Sequence, residues 1–239
     1  MGATKAMVAE VLGKDHALSG ALAFTAAAAP LHITGTHLLA GAVVAAGAGV
    51  LPDLDEPGST IARSYGFLTE AAAWVVHRVS GGHRHGTHSL AGVAVFTAAS
   101  YVAALFDASL PGKIALGVAL ALLLSAALRA LHVGGHHGDA LGVAAAGAMI
   151  YWHAGLVQVP LCIGIGAAAH IAGDMLTHSG CPLAWPASMR EFHLLPGPLR
   201  FTTNKLAEHW IISPLLAIAL GLLVWRAAGL AHSMPLLSR

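Results

Sequence analysis

Histidine and aspartate gather at three places in this 239-residue chain: Leu51-Pro52-Asp53-Leu54-Asp55, Gly82-His83-Arg84-His85-Gly86-Thr87-His88-Ser89 and His170-Ile171-Ala172-Gly173-Asp174. His170 and Asp174 stand four apart on a helical run, so they share one face and can grip a single cation. Asp53 and Asp55 follow Pro52 at a helix exit and supply hard oxygen ligands of the kind zinc, manganese and magnesium accept. Spacing does not distinguish one from the other. The third cluster offers imidazoles and an arginine, whose fork of donors matches phosphate oxygens and offsets charge that grows in a transition state. Within it, His88 is the stronger ligand because it opens an apolar helix, Arg84 and His83 are the catalytic candidates, and Ser89 is expected to cap the helix that follows. His16, opening an earlier apolar run, completes the metal set of His16, Asp53, Asp55, His88, His170 and Asp174. Taken singly, a His-x-x-x-Asp pair or two aspartates before Pro57-Gly58-Ser59 can be explained by capping and turn formation. Their joint placement at the ends of apolar runs favours function, because such groups are costly beside a bilayer unless paired or bound to an ion.

The elements that must position these residues are membrane helices. The chain is 56% hydrophobic and 10% charged, with a mean hydropathy of +0.72, against about 25% charged residues in ordinary soluble domains. A net charge of +1 gives no clustered basic face, so no nucleic acid partner is expected. Cys162 and Cys181 have no Cys-x-x-Cys spacing, which excludes a thiolate zinc site of that kind. Sixteen histidines in so uncharged a chain favour metal or proton chemistry. Apolar runs near 17 to 31, 38 to 52, 89 to 106, 114 to 131, 140 to 156, 157 to 173 and 211 to 231 predict an all-α, polytopic transmembrane bundle of about seven spans. We read residues 1–239 as one membrane-embedded domain. A cleavable leader is the competing reading of the first run, and its removal would take His16 with it.

Threading these runs alternately across a bilayer puts His16, Asp53, Asp55, His88, His170 and Asp174 on one face, with the long loops 53–88 and 174–210. Nine of the twelve Lys and Arg residues fall on that face, which points it toward the cytoplasm. Residues 57 to 82 are expected to include a helix lying along the interface. His37 falls on the opposite face, and His132, His136 and His137, with Asp139, read as a solvated turn.

In order and between apolar runs, the strings Leu-Pro-Asp-Leu-Asp-Glu-Pro-Gly-Ser, Gly-His-Arg-His-Gly-Thr-His-Ser and His-Ile-Ala-Gly-Asp-Met-Leu-Thr-His-Ser-Gly-Cys-Pro-Leu-Ala-Trp-Pro resemble those of the YdjM-like membrane-bound metal-dependent hydrolases. The resemblance runs from His16 to about Glu208. It implies roles for His16, Asp53, Asp55, His83, Arg84, His88, Ser89, His170, Asp174 and Thr177, and makes Glu208, in the polar segment before the last run, a candidate catalytic acid. His85 departs from the pattern, which has glycine there. A looser similarity to zinc-dependent phospholipases C and P1-type nucleases favours phosphoesters over peptides. The expectation is therefore an inner-membrane hydrolase holding one or two zinc or manganese ions and cleaving a lipid or lipid-linked phosphoester. Its rivals are a metal or proton transporter, with ligands near mid-membrane, and a non-catalytic protein whose metal staples loops to the bundle.

Overall fold

The computed structural model describes residues 2–153, 156–202 and 212–227, with side chains from Gly13 onward. Among them are eight α-helices: α1 (Gly2–Ala28), α2 (Gly35–Ala48), α3 (Phe67–Val79), α4 (Leu90–Leu105), α5 (Leu110–Ala130), α6 (Gly138–Tyr151), α7 (Val159–Met175) and α8 (Ser213–Ala227). Within the described residues, each apolar run read from the sequence coincides over most of its length with one of them, and α3 is a further helix inside the 57–82 segment. Ser89 caps α4 by accepting from the Gly92 N–H at 3.2 Å, and Ser109 caps α5 in the same way at Gly112, 3.1 Å. Each satisfies a backbone donor that the first helical turn leaves without a partner.

Among the described residues, three helical segments are long and apolar enough to cross a membrane: Gly35–Asp55, Leu110–Ala130 and Leu156–Met175. The seven full-length spans of the sequence reading are not all present at that length. At 1.5 Å per residue, the 16 residues of α4 reach about 24 Å and the 14 of α6 about 21 Å, short of the roughly 30 Å hydrocarbon core. They nevertheless return the chain between the longer helices. The C-terminal ends of α2 and α7 meet where His170 Nδ1 lies 2.7 Å from the Gly49 carbonyl. The last turns of α5 meet the segment between the Pro52–Asp55 turn and α3, where Arg129 Nη2 donates to the Ser64 carbonyl at 3.2 Å.

Close packing in the centre depends on small residues. Helices α1 and α2 run antiparallel in steps of four, pairing His16 with Gly49, Gly20 with Ala45 and Phe24 with Gly41. A Cβ added at Gly49 would fall 2.2 Å from the His16 carbonyl oxygen, and one at Gly47 2.0 Å from that of Leu123. Backbones this close need glycine, as in membrane helix pairs generally. Around these contacts Ala17, Ala45, Ala48, Leu120, Leu123, Val159 and Ile163 form the buried core.

Candidate metal centre

Three segments converge at the common end of α2 and α7. A 3-10 turn at Pro52–Asp55 continues α2, with proline where its missing N–H and fixed φ cost least. The loop between α3 and α4 supplies the second segment. It turns through Gly81 at φ 86° and Gly82 at φ 116°, then holds Arg84 at φ 62°. An arginine in this left-handed region carries about 1–2 kcal/mol of strain. The bond from its N–H to Asp55 Oδ2 at 3.0 Å offsets that cost. The last turns of α7 supply His170 and Asp174, and α1 lays His16 alongside.

The two aspartates of the Pro52 turn have different partners. Asp55 is fully buried and its carboxylate is engaged by protein: Oδ1 accepts from His83 Nδ1 at 2.8 Å, and Oδ2 from the Arg84 N–H at 3.0 Å and Thr87 Oγ1 at 2.5 Å. It was expected beside Asp53 as a ligand, but its position is behind the imidazoles, where it sets their orientation. Asp53 faces the other way, with Oδ1 3.6 Å from His88 Nε2 and 3.7 Å from His170 Nε2.

Hydrogen bonding fixes which nitrogens are available. A carbonyl only accepts, so His170 carries its proton on Nδ1, bonded to Gly49 O, and Nε2 keeps a lone pair. The His83 Nδ1 proton is held by Asp55 in the same way. Such partners behind an imidazole are what metal-ligating histidines ordinarily have. His88 Nε2 lies 3.1 Å from His170 Nε2. Two nitrogens at that distance need a proton or a metal ion between them. Burial by itself would pull the His88 imidazole down, but bonds to Asp53 and Asp55 and the charges of Asp53 and Asp174 outweigh it and hold it up at about 9.

Asp174 gives the sharpest test of fit for a cation. Its Oδ1 accepts from Arg84 Nη2 at 3.3 Å and lies 3.5 Å from His16 Nε2. Its Oδ2 is buried with no hydrogen-bond partner among the described residues, yet sits 3.6 Å from His88 Nε2 and 3.7 Å from His170 Nε2. A buried acceptor left unbonded is costly. The separations of 3.1 to 3.7 Å around these nitrogens and oxygens are close to the ~3.4 Å between neighbouring ligands when each stands about 2.0–2.1 Å from a tetrahedral ion. Two groups have ligand atoms all within 4.8 Å of one another: His16, His170 and Asp174, and Asp53, His83 and His88. They are joined through the His88–His170 contact, and His16 stacks on His170 with ring centroids 3.8 Å apart. The donor set thus suits one or two divalent ions.

Beside the cluster lies a cavity of about 340 Å³, lined in part by His83, Arg84, His85, His178, Ser179 and Glu191. Arg84, a quarter exposed, belongs to both the cluster and the cavity. His178 and Glu191 were not singled out from sequence, although His178 follows directly on the His170 motif at Thr177. Glu208 lies outside the described residues. His37 is exposed at the far end of α2, and His132, His136 and His137 are exposed beyond α5.

A helical bundle with apolar span candidates and a buried His and Asp cluster at the ends of two of them defines the class: a helical membrane protein with a candidate metal centre. The particular family follows from the chain as a whole. A family model described as YdjM inner membrane protein matches residues 11–234, and the chain belongs to that family. No curated protein and no solved structure matches it.

Proposed function

We propose that this chain is a divalent-metal-dependent hydrolase that cleaves a phosphoester of a lipid or lipid-linked substrate, with its site on the cytoplasmic face. The observation that carries the reading is Arg84. Its guanidinium reaches Asp174 and lines the adjoining cavity, so a cation for phosphate oxygens stands between the ligand cluster and a space for substrate. His16, His170, Asp174, Asp53, His83 and His88 would hold zinc or manganese. A divalent ion bound there would lower the pKa of water toward neutrality and polarise a phosphoryl oxygen.

The protein groups have separable tasks. Arg84 binds the phosphate as a planar fork, for which lysine is a poor substitute. Asp55 keeps the His83 and His88 nitrogens facing the cluster. His178 and Glu191 stand on the cavity wall, where either can take or deliver a proton at the leaving oxygen. The transporter reading fits less well, because Asp53 and Asp174 lie at the ends of the segments Gly35–Asp55 and Leu156–Met175 and not near their middles. A purely structural staple does not explain the cavity beside Arg84, since closed coordination is the mark of structural sites.

The test is product release from phospholipid and isoprenoid phosphoesters in mixed micelles by metal-loaded protein. Release that is lost on chelation and falls at least about 100-fold in Arg84→Lys, consistent with the 10²–10³ worth of a transition-state charge contact, supports the reading. Fully metal-loaded protein that releases nothing across the panel contradicts it and favours the staple.

A further inference from the structure

Helix α3 is short, amphipathic and partnered on one side only. Its 13 residues reach about 20 Å, too little to cross a bilayer. Thr69, Ala73, Val76 and His77 face the protein, and among these Ala73 is fully buried. The opposite face carries Phe67, Leu68, Trp74, Val75 and Val79, which are 76%, 63%, 59%, 53% and 77% exposed. At 100° per residue these five, with Ala71, occupy one continuous side of the helix. Arg78 lies in the middle of that side, its guanidinium 5.7 Å from the Trp74 ring centroid. A contiguous apolar surface of this size marks an interaction site.

The position of the helix identifies what covers this face. Helix α3 packs against the Pro52–Asp55 turn, and His77 Nδ1 donates to the Asp55 carbonyl at 2.8 Å. That turn is the end of the candidate span Gly35–Asp55. The helix is thereby held at the level where a span leaves the membrane. Tryptophan with a neighbouring arginine is the pairing expected at that depth, with the ring in the apolar boundary and the guanidinium reaching phosphates. We propose that α3 lies flat in the headgroup–acyl boundary with its Phe67, Leu68, Trp74, Val75 and Val79 face in lipid, so that the bilayer itself flanks the approach to the Asp55 turn. This docking does not rest on the hydrolase reading and is tested without it.

The experiment places nitroxide labels at Val75→Cys, Val79→Cys and Glu70→Cys in full-length protein, reconstituted into vesicles of phosphatidylethanolamine and phosphatidylglycerol. Cys162 and Cys181 are buried, so labelling favours the introduced thiols. Collision with lipid-soluble oxygen should exceed that with a water-soluble nickel chelate several-fold at positions 75 and 79, with the order reversed at 70, at a depth of about 5–10 Å. Chelate access at 75 and 79 equal to that at 70 would put the face in water. Exclusion of both reagents would mean that protein covers it. Either result overturns the proposal. Where a labelled variant does not fold, Trp74→Phe serves, since that side chain is exposed. Brominated lipid should quench less of the fluorescence in this variant than in the native protein, and equal quenching overturns the proposal.

Discussion

Two histidine-rich loops of this molecule have similar composition and opposite character. The loop before α4 carries His83, His85 and His88, and the loop after α5 carries His132, His136 and His137 with Asp139 beside them. In the first, Asp55 stands behind the imidazoles, His88 is wholly buried, and available nitrogens face Asp53, Asp174 and His170. In the second, the three histidines are exposed and Asp139 is taken by Arg129, whose Nε donates to Oδ1 at 2.6 Å. His136 and His137 rest against each other with centroids 3.8 Å apart and join no candidate metal group among the described residues. The number of histidines is the same in both. What separates a candidate metal centre from a polar turn is burial together with a fixed acceptor behind the His83, His88 and His170 rings; His85, whose Nδ1 has no hydrogen-bond partner among the described residues, lines the cavity instead.

The comparison breaks most plainly if its two sides respond alike to mutation. His170→Leu should abolish stoichiometric metal binding, while His136→Leu and His137→Leu leave it unchanged and shift stability by no more than about 0.5 kcal/mol. Equilibrium dialysis with zinc and with manganese checks all three. Gly49→Ala should come next, because the added Cβ meets the His16 carbonyl at 2.2 Å and shifts the residue whose own carbonyl fixes His170. A loss of about 1–3 kcal/mol by overpacking is expected, read as a lower unfolding temperature with reduced metal content. Gly117→Ala, with nothing within 4 Å, is the matched control.

Asp55→Asn sharpens the comparison further. The side chain keeps its size but no longer offers a charged acceptor to His83, so metal affinity should fall about 10–100-fold with every candidate ligand in place. A competition titration with a chelating dye measures this. The effect of pH is smaller and has a definite sign. His88 is raised from 6.5 to about 9, so metal must displace its proton below that value, and apparent affinity should climb with pH and level off near 9, by up to tenfold per unit. Without metal, the His88 contribution to stability is complete below about 6.5 and fades as pH rises through about 9. Thermal melts of chelator-treated protein across pH 6 to 10 should show that decline, and His88→Gln should flatten it.

Much of the candidate site was legible because it rests on local periodicity. His170 and Asp174 share a face of α7 since helical spacing dictates it, and Ser89 caps α4 because a hydroxyl at that position meets the free N–H of Gly92. The roles of Asp53 and Asp55 were not legible. Two residues apart in a tight turn, they are told apart by which one meets the loop some thirty residues later, and no local pattern encodes that contact. Gly49 was hidden in an Ala- and Gly-rich run, where only the approach of α1 and α7 shows that its carbonyl orients a histidine. Hydropathy located the apolar helices but overstated their reach. The sequence marks where lipid-compatible residues begin and end, whereas α4 ends at Leu105 and α6 at Tyr151, each short of the bilayer thickness.

The central claim is that the Asp53 and Asp174 carboxylates hold the same metal centre as the His88 and His170 imidazoles. Its most direct test is metal content by mass spectrometry on detergent-purified protein, native beside Asp53→Ala and Asp174→Ala, with folding of each confirmed by a single cooperative melt. The account predicts one or two zinc or manganese ions per native chain and a clear loss in both variants. Native protein that stays metal-free after incubation with divalent ions, or folded variants that keep the full native content, would contradict it.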